Sequence, residues 1–275
     1  MSRGNGPVIC GRCHRIIGAQ DSSCPWCGAG RPGFFTSIIR GDMDGEVVVR
    51  WILWGNVGYY LLSVLISGSQ FPLNPFAFFS PDQQSLFILG ATGTVPIDRF
   101  GRYETLIAAS WLHGGILHLV FNLMALRQIA PWVSREFGPS RMFIIYTGGG
   151  VTGFLLSYFA GIPFTIGASA SLCGLIGSLL FYGKSRGGFY GAAVYRVVSG
   201  WVFGLFLFGL IVPGINNWGH GGGILGGILI ARIVGYHERS PESHSHRVIA
   251  LITAILTASI LAWGVFQAFV FEGFL

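Results

Sequence analysis

Seven apolar runs recur along the chain, each close to the roughly 20 residues an α-helix needs to cross the hydrocarbon core of a bilayer. They lie near 47–67, 112–133, 142–160, 168–184, 195–213, 218–235 and 248–270. Only 10% of the 275 residues are charged, against about 25% in an average soluble domain, and the mean hydropathy is +0.61. A soluble globular protein, a disordered chain and a disulfide scaffold are therefore excluded. The expected fold class is an all-α polytopic membrane protein of seven spans over residues 47–275, with a linker over 33–46 and a small separate domain over 1–32. Some runs are short or broken by glycine, so those helices need shelter from neighbouring helices rather than from lipid. The apolar stretch from Leu106, ahead of the second run, leaves room for a re-entrant or interfacial piece. The long segment 68–103 carries Phe71, Phe76, Phe78, Phe79 and Phe87 and is expected to lie partly in the membrane interface. Residues 236–247 read as a plain loop.

The amino-terminal segment holds Cys10-Gly-Arg-Cys13 and Cys24-Pro-Trp-Cys27, two C-x2-C pairs ten residues apart. Each pair forms a tight knuckle whose thiolates can face one ion, and two knuckles complete a tetrahedral four-cysteine site. Two disulfides and a redox dithiol are the alternatives. In a stretch too short for a core of its own, a structural Zn2+ held by Cys10, Cys13, Cys24 and Cys27 is the stronger reading. His14 is a substitute ligand of second rank. Zinc thiolates belong on a reducing side, which places this zinc-ribbon-like domain in the cytoplasm.

Charge bias tests that orientation independently, because Lys and Arg accumulate on cytoplasmic loops. With the amino terminus inside and the spans alternating, Arg3, Arg12, Arg15, Arg31, Arg40, Arg50, Arg127, Arg135, Arg141, Lys184, Arg186, Arg196, Arg232, Arg239 and Arg247 all fall inside. Only Arg99 and Arg102 fall outside. The formal charge of +6 is thus explained by topology, and nucleic-acid binding loses its support. The seventh span ends outside.

Polar residues within spans are costly and carry the information. His118-Leu-Val-Phe-Asn122 places two polar side chains on one face of the second span. Gly167-Ala-Ser169-Ala-Ser171 opens the fourth, and Asn216-Asn-Trp-Gly-His220 opens the sixth. These three spans run inward, so the clusters share one depth near the outer face. A serine hydroxyl needs a base. His220 is the candidate base for Ser169, and no carboxylate is available to complete a triad. The amino-terminal N–H groups of the helix at Ser169, with His118 and Asn122, can stabilise an oxyanion. Ser171 is the rival nucleophile, but two residues on it points about 200° away around the helix. Cys173 reads as a small packing residue, and His113 as a loop or surface residue or, as the lesser alternative, one lining the entrance to the site. Gly223 and Gly227, with Gly174 and Gly177, give the sixth and fourth spans small faces that let helices approach.

These blocks, in order, resemble the rhomboid family of intramembrane serine proteases. The resemblance runs from about 83 to 235 and rests on Gly101-Arg-Tyr-Glu-Thr-Leu, Trp111-Leu-His-Gly-Gly115, His118-x-x-x-Asn122, Arg135-Glu-Phe-Gly138, Gly167-Ala-Ser169-Ala and Gly219-His220-x-x-Gly223-x-x-x-Gly227. It implies a six-helix core, to which the seventh span is a carboxy-terminal addition. It also implies Ser169 as nucleophile, His220 as base, and an oxyanion hole of His118, Asn122 and the Ser169 N–H. No catalytic cofactor is implied. The implied substrates are single-span or polytopic membrane proteins cut near the outer side of a bilayer, in a bacterial inner membrane. Ala170 stands where many family members carry glycine, and its Cβ restricts the backbone beside the oxyanion hole. Two other readings compete: an inactive rhomboid-like protein that binds membrane clients, and a small-molecule transporter. The first is disfavoured by the presence of both Ser169 and His220, the second by the lack of intramembrane charge. A cytosolic partner for the zinc domain is left open.

Overall fold

The computed structural model describes residues 8–10, 13, 15–18, 21, 23–28, 44–67 and 79–272, and the chain divides into two compact units, 1–43 and 44–275. His14, most of the 33–46 linker, and Phe71, Phe76 and Phe78 lie outside the described residues.

In the first unit, β1 (Val8–Ile9) pairs antiparallel with β2 (Ile16–Ile17), Val8 opposite Ile17 and Ile9 opposite Ile16. The Cys10 N–H closes the hairpin onto the Arg15 carbonyl at 2.8 Å. Cys10, Cys24 and Ile17 form the buried centre, with Cys13 and Cys27 packed against it. The cysteines are therefore the core of a unit too small to build another.

The second unit contains nine α-helices among the described residues. They are α1 (Gly45–Ile66), α2 (Gln83–Leu89), α3 (Thr105–Ala108), α4 (Ile116–Phe137), α5 (Pro139–Phe159), α6 (Ser169–Arg186), α7 (Gly188–Ile211), α8 (Asn217–Val234) and α9 (His244–Glu272). Sequence signals set the ends. Asp44 caps α1 by accepting the Glu46 N–H, and Asp82 caps α2 by accepting the Ser85 N–H at 2.6 Å. The helix of the second span starts at Ile116, not near 112, because Gly114 and Gly115 interrupt the apolar run. The preceding stretch becomes a separate piece, α3 running into a 3-10 turn over Ala109–Trp111.

Helices α1, α4, α5, α7 and α9 are long and apolar enough to cross a membrane. Helices α6 and α8, 18 residues each, are diluted by glycine and polar residues, and they have the shelter the sequence demanded. They pack with α5 at the centre of the bundle at small-residue contacts. A Cβ on Gly149 of α5 would lie 2.6 Å from the Gly174 Cα of α6, and one on Gly222 of α8 would lie 2.9 Å from the Gly153 Cα of α5. Outward, α7 and α9 expose Phe203, Phe206, Leu210, Ile252, Ile255 and Phe266, an apolar surface that lipid suits and water does not.

Residues 236–247 are not a plain loop. Glu242 caps the start of α5, accepting the Arg141 N–H at 2.9 Å and the Ser140 hydroxyl at 3.1 Å. The buried Arg141 guanidinium donates to the Ser240 carbonyl at 2.9 Å and the Pro241 carbonyl at 3.1 Å. Each group satisfies backbone that burial would otherwise orphan, so the α8–α9 connection is latched to α5.

Candidate active site and four-cysteine cluster

At one end of the bundle the starts of α6 and α8 meet the carboxy-terminal half of α5, and the start of α4 lies against the segment that leads into α6. The segment before Ser169 is pinned on two sides. Thr165 and Thr92 exchange backbone hydrogen bonds at 2.7 and 3.1 Å, and the Gly167 N–H donates to the Ala109 carbonyl at 2.8 Å. Gly167 has a φ of +127°, which side chains other than glycine rarely tolerate. It also lies against the histidine of α4: a Cβ there would be 2.9 Å from His118 Nε2 and 3.6 Å from Ser169 Oγ. His118 and Ser169 thus share one corner.

The His118 ring is oriented. The Gly114 N–H approaches its Nδ1 at 3.4 Å, which assigns the ring proton to Nε2, the nitrogen on the Gly167 side. One turn on, Asn122 is buried and donates from Nδ2 to the His118 carbonyl at 2.9 Å, leaving a second amide hydrogen for another acceptor. His113 lies in the loop ahead of α4, as the sequence allowed. It is completely buried, not at a surface, and stacks edge-on against His118 with ring centroids 5.1 Å apart. Nothing in its one-dimensional context announces this, since the contact is made by the glycine turn folding the chain back.

Helices α6 and α8 meet beside these groups. A Cβ on Gly153 of α5 would touch both, 2.9 Å from the Ala170 Cβ and 3.3 Å from the Gly223 nitrogen. Ala170 follows Ser169, and Gly219 and Gly223 flank His220, so the two residues are brought to one level of the bundle. No hydrogen bond among the described residues joins them. His220 Nδ1 is buried without a hydrogen-bond partner among the described residues, while His220 lines a cavity of about 340 Å3 between α7 and α8 with Val202, Phe206, Gly221 and Ile224. Ser169 is half-buried. Ser171, in contrast, is fully buried and donates to Ser110 Oγ at 3.1 Å, so it has neither access nor an idle hydroxyl. Cys173 is buried, and a Cβ on Gly223 would lie 3.0 Å from its Cβ; it packs the α6–α8 seam. Helix α6 begins without a side-chain cap, and its first intrahelical donor is the Leu172 N–H, bonded to the Ala168 carbonyl at 2.9 Å. The N–H groups before it, at the positive end of the helix dipole, suit a developing negative charge.

In the amino-terminal unit the four sulfurs of Cys10, Cys13, Cys24 and Cys27 lie within 4.8 Å of one another, close enough to bind a metal ion. Cys10 to Cys27 is 3.7 Å and Cys13 to Cys24 is 3.6 Å. A tetrahedron with metal–sulfur bonds of about 2.3 Å has edges of about 3.8 Å, so the donor set fits.

A helical bundle with polar groups gathered at one end from three of its helices is the architecture of an intramembrane site. The family model for the Rhomboid domain matches residues 101–237. Among similar proteins, Rhomboid protease GluP of Bacillus subtilis (strain 168) is 32% identical over 157 residues, covering 53% of this chain and 31% of the relative. RHOMBOID-like protein 6, mitochondrial, of Arabidopsis thaliana is 27% identical over 221 residues, 72% of this chain and 71% of the relative. Putative rhomboid protease YdcA of Bacillus subtilis (strain 168) is 30% identical, over 48% of this chain and 67% of the relative. The chain belongs to the rhomboid family. It spans about a third of the length of GluP, and its relatives include proteins of Bacillus subtilis, Arabidopsis thaliana and Toxoplasma gondii, one of them named as mitochondrial.

Proposed function

We propose that this protein is an intramembrane serine endopeptidase that cuts transmembrane segments of other membrane proteins with a Ser169–His220 dyad. The observation that carries it is the convergence of the starts of α4, α6 and α8, with half-buried Ser169 and His118 both beside Gly167 and the α6–α8 seam closed beside His220. In the reaction Ser169 Oγ attacks the scissile carbonyl carbon while His220 takes the hydroxyl proton. The carbonyl oxygen becomes an oxyanion facing the Ser169 N–H, His118 Nε2–H and the spare Asn122 amide hydrogen. Collapse breaks the C–N bond, His220 returns the proton to the leaving amine, and water hydrolyses the acyl-enzyme by the same route. The cavity between α7 and α8 gives a substrate segment an approach to His220 from the side. The homologues named as proteases support the activity, and both dyad residues are present.

Incubation of the purified protein with a fluorophosphonate, followed by peptide mapping, tests the assignment. One adduct on Ser169 is expected. An adduct on Ser171, or none on a protein that cleaves a single-span substrate, would remove Ser169 from its role. In the same assay His118→Ala and Asn122→Ala should each lower kcat about 10²–10³-fold, the loss of roughly 2.7–4 kcal/mol of transition-state stabilisation per oxyanion donor, with Ser169 still labelled.

The cysteine cluster is assigned a structural Zn2+, with the ribbon on the cytoplasmic side and the active site opening to the opposite face. The donor set is all sulfur and suits zinc. Metal analysis of the full-length protein should find about one zinc per chain. Cys13→Ser should lose it, and should leave fluorophosphonate labelling of Ser169 intact because the ribbon holds none of the catalytic groups.

A further inference from the structure

Asn216 makes more directed contacts around the site than any group used in the chemistry, and it touches none of the reacting atoms. It is the N-cap of α8: its Oδ1 accepts the Gly219 N–H at 2.9 Å, and its backbone carbonyl accepts the N–H of His220 itself at 3.1 Å. The cap fixes which end of the amide is oxygen, so the nitrogen faces away from the helix. Both amide hydrogens are then used on other elements. One goes to Ser157 Oγ of α5 at 2.7 Å, the other to Thr165 Oγ1 at 3.0 Å. Each acceptor is itself held. Ser157 donates to the Gly153 carbonyl at 3.0 Å, at the point where α5 touches α6 and α8. Thr165 is in the reciprocal backbone pair with Thr92, two residues before Gly167 and four before Ser169.

We propose that Asn216 is a positioning residue that ties the base-bearing helix to the nucleophile loop and so sets the spacing between His220 and Ser169. The inference rests on the Ser169–His220 reading and adds to it a link that neither member of the dyad supplies. A cap alone needs only an oxygen acceptor, and serine serves nearly as well as asparagine in that role. The two outward hydrogen bonds are surplus to capping. They join α8, α5 and the segment leading to Ser169 through one planar group whose bonds are all satisfied, the kind of polar network that rigidifies when complete.

The test compares wild type, Asn216→Ser, Thr165→Val and the double variant in proteoliposomes against one single-span substrate. It records kcat, KM, melting temperature and fluorophosphonate stoichiometry at Ser169. Asn216→Ser keeps a cap oxygen and removes both amide donors. Its kcat should fall roughly tenfold to 100-fold, the effect of misplacing a reacting group by about 1 Å. KM should stay within about twofold, since the substrate contacts survive, and the melting temperature should fall by only several degrees, since two part-buried hydrogen bonds are lost but the cap survives. Thr165→Val should lose part of the same rate, and the double variant should be no worse than Asn216→Ser, because both break one link. Wild-type kcat in Asn216→Ser, or a loss that vanishes when rates are divided by labelled sites, would overturn the proposal while leaving the dyad standing. Should Asn216→Ser not fold, Thr165→Val decides alone: unchanged kcat overturns the link. A wild-type protein that neither cleaves nor labels at Ser169 would remove the dyad reading first, and this link with it.

Discussion

Ser169→Ala, His220→Ala and the double replacement should all lose the same activity, on the order of 10⁶-fold in kcat, the loss seen where a nucleophile and its base act as one unit. Once either is gone, the other has no partner for its proton, so a second loss adds nothing. Two residues contributing separately would give losses that multiply, and a cycle of four measurements distinguishes the cases. Folding should be untouched. Ser169 is half-buried at a helix start and His220 edges a cavity, so neither substitution opens a void in the packed centre or strands a hydrogen-bond partner, and the melting temperature should move by no more than about 2 °C. His118 offers a contrast within the same corner. Its replacement removes one donor, so its effect should be some thousandfold smaller and should add to a change at Asn122 only in part, because both donors would serve the same oxyanion. A multiplicative loss at Ser169 and His220, or a His118→Ala loss as deep as theirs, would contradict the assignment of roles.

What could be read from the sequence was whatever a local pattern carries. The bundle was legible because lipid demands long apolar helices, and the candidates for the site stood out because polar side chains in such helices are few. Helices α6 and α8 show the same rule from the other side. They are too rich in glycine and polar residues to face lipid on all sides, yet their glycines announce close packing, and packing is why they need no lipid-facing apolar coat. What was not legible depends on contacts between distant segments. His113 and His118 are five positions apart, but whether His113 faces a surface or a ring is decided by how Gly114 and Gly115 turn the chain. The stretch 236–247 looks like a solvated loop by composition, and only the fold brings Glu242 onto the first turn of α5. Asn216 read as one polar residue in a helix lead-in. Its acceptors are Ser157 and Thr165, 59 and 51 residues away, and no spacing rule reaches that far.

Gly223→Val should disable the protein by separating the two helices that carry the dyad. A Cβ at position 223 would land on the carbonyl oxygen of Ala170 and lie 3.0 Å from the Cβ of Cys173. The carbonyl belongs to the helix backbone beside Ser169 and cannot rotate away as a side chain tip can. Either α8 retreats or the start of α6 unwinds. Overpacking of this kind costs about 1–3 kcal/mol, enough to lower the melting temperature yet tolerable in a bundle of this size. The rate is more sensitive than the fold, because a displacement of about 1 Å between reacting groups costs on the order of 10². Cleavage should therefore fall at least 100-fold even in the fraction that remains folded, and fluorophosphonate labelling of Ser169 should slow with it, since labelling also needs His220 as base. Gly200→Val on α7 is the control. A Cβ there meets nothing within 4 Å, and valine is a better helix former than glycine, so stability and cleavage should hold. Equal activity in both variants would mean that the α6–α8 contact at Gly223 does not set the Ser169–His220 distance. A loss confined to Gly223→Val, deeper in rate than in folded fraction, would mean that it does.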